Sequence, residues 1–234
     1  LAAQKLVNQE KVFAVMGLMG SAAAVAAMPV LLEKNVLSFM PMSSAREMYE
    51  PPHKLKWGFA PSNFDSMKSS TPRVFQHTKS TKACALYQDD DFGLEVMRGG
   101  EAGLKDIKTD FVEKTTYKRG ATDFSSQVAR LKSAGCDFVL LGTLIRETVG
   151  AVGEARKLGW NPVFLGPQTV YTDQIPKLGG KAMDGIYGDM FVQFPYMDDA
   201  SQPVRFWANK WKTAFGNDPT VYAVYGYLIA DRLY

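Results

Sequence analysis

The sequence is poor in the residues that do chemistry. Its 234 positions hold two histidines and two cysteines. His53 sits in a proline-rich turn and His77 at the polar end of a helical pattern, and neither stands near a serine or cysteine with an acid in a triad context. Metal ligation needs clustered His, Cys or carboxylate groups, and only "QDDDFG" (88–93) brings carboxylates together. Reaction roles are therefore unfilled, and the expectation is a protein that is not an enzyme, with no metal and no cofactor. Charge of one sign is also missing: 27 basic and 24 acidic residues are mixed along the chain, which leaves no stripe for nucleic acid. No apolar run reaches membrane-spanning length, and the longest, near 22–32, is interrupted by Pro29. The chain opens "LAAQKLVNQE", which reads as the middle of a helix, so a piece of a longer sequence is expected.

What is present is a globular composition, 46% hydrophobic and 22% charged. Apolar, β-leaning runs occur at 12–16, 36–40, 83–87, 109–115, 137–141, 163–165 and 185–192. Between them lie segments with helical spacing: Phe124, Val128 and Leu131 recur on one face, and Gly135 supplies the stop. From residue 83 the strands begin about every 26 residues, the size of one strand–helix unit, which predicts an α/β fold with parallel sheets. Two proline-rich breaks, at 49–75 and 192–203, interrupt this rhythm. They predict two doubly wound lobes joined by a hinge: 1–61 as the first part of lobe 1, 62–190 as lobe 2, and 191–234 as a return to lobe 1, helical at 202–215 and 220–234. Ligands of such sheets sit beyond the carboxyl ends of the strands. Cys84 and Cys136 each open an apolar strand, where a cysteine is usually a small buried hydrophobe. A disulfide is the less common alternative, and the spacing does not decide between them.

The stretch "VFAVMGLMGSAAAVAAMPVLLEKNVLSFMP" (12–41) places a glycine turn between a strand and a helix. A P-loop needs a Lys after its last glycine, but Ser21 and Ala22 follow Gly20. A dinucleotide turn needs G-x-G-x-x-G and an acid after the next strand; here Gly17 and Gly20 are three apart and that strand ends in Met40–Pro41. Two uses remain. Ser21 either caps a helix, the commoner role, or joins the free N–H groups of the helix start to hold one small carboxylate.

These residues, with "PVLLEKNV", Pro41 and Ser43–Ser44, "ALYQDDDFG", "GATDFSSQVARLKSAGCDFVLLG", "EARKLGWNPVFLGP" and "DGIYG", resemble the type I periplasmic solute-binding proteins of ABC importers, in the leucine/isoleucine/valine-binding branch. The resemblance covers nearly the whole chain. It implies a monomeric two-lobed clamp outside the cytoplasmic membrane that closes on a small carboxylate and delivers it to a membrane permease. It also implies a first lobe that is incomplete in this chain, with an opening strand–helix unit before Leu1 and more chain after Tyr234. By the same resemblance the carboxylate is held by Gly20, Ser21, the backbone around Met42, Ser43 and Ser44, with Phe92 as an aromatic ring across the cleft. Phe92 is equally a core residue at a helix start.

Two positions depart from the branched-chain amino-acid pattern. Gln168 stands where an acid commonly pairs with the ligand ammonium, and an amide cannot offset a buried positive charge. Leu144 stands near a common aromatic position, followed by Arg146, a second anion partner or a solvated helix-start arginine. These changes point to a carboxylate with an apolar or aromatic body; Asp89, Asp90 and Asp91 remain available for an ammonium. Tyr222 and Tyr225 are aromatic wall or core packing. The alternative function is the ligand-sensing domain of a receptor or regulator built on the same clamp.

Overall fold

The computed structural model describes residues 1–233. The chain divides into two compact units, Leu1–Asp189 and the described residues from Met190 on.

The first unit holds two sheets, parallel throughout. Strands β1 (Ala14–Met16), β2 (Leu37–Phe39) and β3 (Lys56–Trp57) form the smaller one, in the order β1-β2-β3. Helix α1 (Ala2–Asn8) precedes β1, and α2 (Ser21–Glu33) connects β1 to β2. α2 is packed through Ala24 and Met28 against Ala45 and Met48, and through Leu31 against Val7 and Val36.

The larger sheet contains β4 (Ala83–Gln88), β5 (Phe111–Tyr117), β6 (Phe138–Gly142), β7 (Val163–Gly166) and β8 (Ile186–Gly188), ordered β5-β4-β6-β7-β8. Helix α3 (Asn63–His77) leads into it, and α4 (Asp91–Asp106), α5 (Ser125–Ser133), α6 (Ile145–Lys157) and the short α7 (Gln174–Gly179) connect its strands. Alternate residues of the central strands supply opposite faces. Cys84, Leu86, Val139 and Leu141 join one core with Val128, Leu131, Val152 and Ala155 of α5 and α6. Ala83, Ala85, Phe138 and Leu140 join the other with Met67, Phe75, Val96 and Leu104 of α3 and α4. Burial on both sides is why β4 and β6 read as continuous apolar runs.

Ser62 accepts a hydrogen bond from the backbone N–H of Asp65 at 2.9 Å, which starts α3 where the proline-rich break ends. α3 and α4 meet backbone to backbone. A Cβ on Gly99 would stand 2.4 Å from the Phe64 carbonyl oxygen, and one on Gly103 would stand 2.3 Å from that of Lys68. The close approach requires glycine at both positions.

One open alternative is decided here and one expectation is corrected. The cysteines are bonded: Cys84 and Cys136, 52 residues apart with Cα atoms 5.9 Å from each other, form a disulfide inside the α5/α6 core. The strand expected at 185–192 stops at Gly188. Its neighbour β7 ends with Gly166 paired to Gly188, and the following Pro167 has no N–H for a ladder.

In the second unit, α8 (Gln202–Phe215) ends at Gly216 in the left-handed conformation, φ +75°. Helix α9 (Val221–Asp231) starts at Thr220, whose hydroxyl caps the Ala223 N–H. Trp207 and Trp211 of α8 are 5.7 Å apart, and Tyr227 of α9 meets Trp207 edge-on at 5.5 Å. Tyr225 stacks on Phe191 at 5.3 Å, and Tyr222 meets Tyr225 edge-on. That is the packing role of the two tyrosines. Among the described residues, no helix is long and apolar enough to cross a membrane.

Candidate functional site

The candidate residues lie on turns at the carboxyl ends of strands in both sheets of the first unit. After β1 the chain turns through Gly17 (φ +63°) and Gly20 (φ +96°), conformations that favour glycine. Gly20, not Ser21, is the N-cap of α2, and no side chain caps that helix. The helix-cap reading of Ser21 therefore fails. Its hydroxyl is buried and accepts instead from the Ser43 hydroxyl at 3.4 Å. The first N–H groups of α2 have no intrahelical partners, which suits them to an anion.

After β2 the chain passes Met40 in the left-handed region (φ +44°) and Pro41, then runs along the start of α2. The Gly20 N–H donates to the Met42 carbonyl at 3.1 Å, so the two turns are tied together. Ser43 also accepts from the Ala45 N–H at 3.3 Å. The Ser44 carbonyl receives the Asn63 N–H at 2.7 Å, at the start of α3. Gly20, Ser21, Met42, Ser43 and Ser44 thus form one cluster, with all three serines buried.

From the larger sheet, Gln168 follows β7 and reaches this cluster. Its amide Nε2 donates to the Ser44 hydroxyl at 2.5 Å, across 124 positions of sequence. Its Oε1 is buried with no hydrogen-bond partner among the described residues, an acceptor with spare capacity. The neighbouring Thr169 hydroxyl donates to the Thr143 carbonyl at 2.9 Å, and the Thr143 and Thr148 hydroxyls pair at 2.6 Å. Leu144 is the N-cap of α6 and packs on the α3/α4 core.

Five other candidates fall elsewhere. Phe92 is buried in the α3/α4 core, so its ring is a packing group. Arg146 is exposed, the solvated helix-start alternative. Two of the aspartates are already engaged: Asp90 caps α4 through the Gly93 N–H, accepts from the Gln88 amide at 2.5 Å and pairs with Arg119 at 3.2 Å. Asp89 pairs with Lys118 at 2.5 Å, and Asp91 is exposed in the first turn of α4. Among the described residues no group of three or more His, Cys, Asp or Glu could hold a metal ion.

The structure adds residues that sequence reasoning passed over. Gln88, at the end of β4, is fully buried with its Oε1 unpartnered, and the polar residue closing "ACALYQ" was the available signal. At the end of β5, burial first and the nearby Glu147 carboxylate second push the Tyr117 phenol well above its ordinary value. Glu95 accepts the Arg46 N–H at 3.1 Å, and burial raises its carboxyl to about 7; nothing in its sequence neighbourhood marked it.

With this geometry in view, the chain matches over residues 1–233 the family described as "Periplasmic binding protein". It belongs to that family. The family's members are solute-binding proteins, and the match agrees with the type I group to which the sequence motifs pointed. Among curated relatives, the "Leu/Ile/Val/Thr-binding protein" of Salmonella typhimurium is 24% identical over 184 residues, 79% of this chain and 50% of its own length. Among solved structures, a leucine-binding protein LivK from Thermotoga maritima superposes with TM-score 0.86 at 19% identity, over 98% of this chain and 65% of that one. A solute-binding protein of an ABC transporter from R. palustris, in complex with benzoate, superposes with TM-score 0.83 at 18% identity, over 96% and 61%. The chain therefore spans about half the length of such curated relatives and under two thirds of these solved neighbours.

Proposed function

We propose that this periplasmic binding protein captures a small carboxylate with an apolar or aromatic body and serves as the solute-binding component of an ABC importer, handing its ligand to a membrane permease. The observation that carries the proposal is the Ser44–Gln168 contact. It joins the anion-type turns of the smaller sheet to the end of β7, with an amide where an ammonium-binding member would need an acid. The carboxylate is assigned to Ser21, Ser43, Ser44, the backbone at Gly20 and Met42, and the uncapped start of α2. Hydroxyls and N–H groups hold an anion without offering a reactive nucleophile. The body of the ligand is assigned to the Leu144 and Gln168 side, and contacts to both sides favour a closed clamp over an open one. Residues 1–61 and 191–234 are proposed as one lobe and 62–190 as the other, working as a monomer.

The solved neighbours include proteins with benzoate and with 4-hydroxybenzoate bound, which supports the amine-free ligand class. The Cys84–Cys136 disulfide suits an oxidising compartment and so a periplasmic location. The relatives named as binding and transporter proteins favour a transport role over a sensor domain.

A thermal-shift screen tests this with two panels: benzoate, 4-hydroxybenzoate and aliphatic acids, against leucine, valine and phenylalanine. A ligand that binds only the folded state at 100 times its Kd adds about 2.7 kcal/mol. Stabilisation by the amine-free acids is the expected result; stabilisation by amino acids alone would overturn the assignment of Gln168.

A further inference from the structure

The segment that carries the serines does not end at Ser44. It continues through a 3-10 turn, Arg46–Met48, and lies against the starts of α3 and α4. Asn63 at the start of α3 donates its N–H to the Ser44 carbonyl at 2.7 Å. The Arg46 guanidinium lies 5.0 Å from the centre of the Phe64 ring, and the Tyr49 hydroxyl is 3.5 Å from Asp65. In the middle stands Glu95 of α4, which accepts the Arg46 N–H at 3.1 Å, two residues beyond Ser44.

Among the described residues Glu95 has no cation for a partner. The Arg46 side chain turns away to Glu50, with contacts of 3.1 Å from both Nε and Nη2. The charged groups that face Glu95 are unfavourable: Glu47 on the docked segment opposes its ionisation, and Glu95 in turn adds to the raised Tyr49 phenol. From α3, Asp65 is held by Ser62 and Tyr49. On its own helix, Asp91 and Arg98 are exposed, and α2, which also packs on α4, has Glu33 as its sole ionisable residue. Only uncharged donors hold the anion: the Arg46 N–H, the Asn63 side chain and the Phe64 N–H. Among the described residues the Asn63 Oδ1 is buried without a partner, so this contact region holds an acceptor with spare capacity.

We propose that Glu95 is a positioning residue for the binding site: its carboxyl group pins the Arg46 backbone to the starts of α3 and α4, and so fixes Ser43 and Ser44, with a hold that is strongest when the carboxyl is protonated. This rests on the assignment of Ser43 and Ser44 to the ligand. The sign follows from linkage. The carboxyl stands raised from its ordinary 4.5 to about 7, burial outweighing the Arg46 N–H that favours the anion, and the docked segment is assigned that burial, so undocking returns the group toward 4.5. The docked segment therefore binds a proton that the undocked one releases, and docking weakens as pH rises through 7. Between pH 8 and pH 6 the docking equilibrium strengthens about tenfold on those values.

The test uses amide hydrogen exchange of the full chain at pH 6 and pH 8, corrected for intrinsic rates, with the buried amides of β6 as internal control. Wild type is expected to protect amides 45–50 about tenfold better at pH 6. Glu95→Gln, which keeps the acceptor but cannot titrate, should lose that pH dependence, and Glu95→Ala should lose protection at both values. Affinities for benzoate and for leucine, both ionised at the carboxylate throughout this range, are measured alongside. Any probe that binds wild type should bind more tightly at pH 6, and equally at both values to Glu95→Gln. Equal wild-type protection at the two pH values, a Gln variant that keeps the tenfold dependence, or a bound probe with pH-independent affinity would each overturn the proposal. Failure of both probes to bind would count against the carboxylate assignment instead, while the exchange data still decide what Glu95 holds.

Discussion

Ser21 lies at the start of α2 with a hydroxyl whose one partner among the described residues is Ser43, at the long distance of 3.4 Å. Such a neutral bond adds about 1 kcal/mol or less to folding, while a hydrogen bond to a charged group is worth about 1.5–3. Ser21→Ala should therefore weaken carboxylate binding more than tenfold with little change in Tm, as calorimetric titration and thermal unfolding would show. Normal binding would move the anion site elsewhere. Gln168→Glu places an acid beside Ser44, where only an ammonium would neutralise it. Competition binding should show benzoate affinity falling and leucine affinity rising; an unchanged ratio would remove Gln168 from the selectivity argument. Individual residues were unevenly legible in the sequence. The glycine turn and Gln168 could be found because their positions follow strands that are easy to see. Glu95 could not, because its character comes from Arg46, Asn63 and Phe64, brought to it from 31 to 49 positions away only by folding.

At the scale of elements, the α3–α4 contact makes the sharpest claim. Gly99→Ala improves helix propensity by about 1 kcal/mol but drives a methyl into the Phe64 carbonyl. The net result should be a loss of about 2 kcal/mol in urea unfolding. Gly153→Ala in α6 meets nothing within 4 Å and should gain up to about 1 kcal/mol. Equal effects would deny the close approach. The disulfide makes a second claim. A loop of 52 residues corresponds to about 4 kcal/mol in the chain-entropy account, so reduction should lower the urea midpoint substantially. Ligand affinity should hardly change, because Cys84 opens β4 at the end opposite Gln88. Elements were read well from sequence where apolar periodicity was long: the helix expected at 202–215 is α8, Gln202–Phe215. They were read less well where a neighbour decides the outcome, as when Pro167 beside β7 cuts β8 to three residues.

Over the whole molecule, two sets of carboxylates set opposite slopes of stability against pH. Asp137 is desolvated, yet hydrogen bonds from Thr81 and Lys82 outweigh that and hold its carboxyl below the ordinary value. Glu113 beside Arg130 and Glu101 beside Lys114 are lowered too. Their contribution is present above their unfolded values and is lost as pH falls below about 4. Glu95 acts in the other direction: its contribution is full below 4.5 and is lost as pH rises through about 7. The Tm of the ligand-free protein should peak near pH 5, drop steeply toward pH 3 and decline gently toward pH 8. Glu95→Gln should flatten the upper limb alone. A Tm still rising from pH 5 to pH 8 would contradict the burial of that carboxyl.

The glycines that let α4 lie on its neighbours also decide how this protein can be diversified. A Cβ on Gly93 would stand 2.0 Å from the Gln88 carbonyl, and one on Gly100 would stand 2.2 Å from Leu140. With Gly99 and Gly103, Gly93 forms a seam against backbone that admits no side chain, whereas at Gly100 the obstacle is the end of the Leu140 side chain. The turns proposed to face the ligand, by contrast, hold Ser21, Ser43, Ser44 and Gln168 through side chains. A mutagenesis library aimed at a new solute that randomises those four codons together with the seam should therefore return varied residues at the former, while survivors keep glycine at 93, 99 and 103 whatever molecule is used for selection.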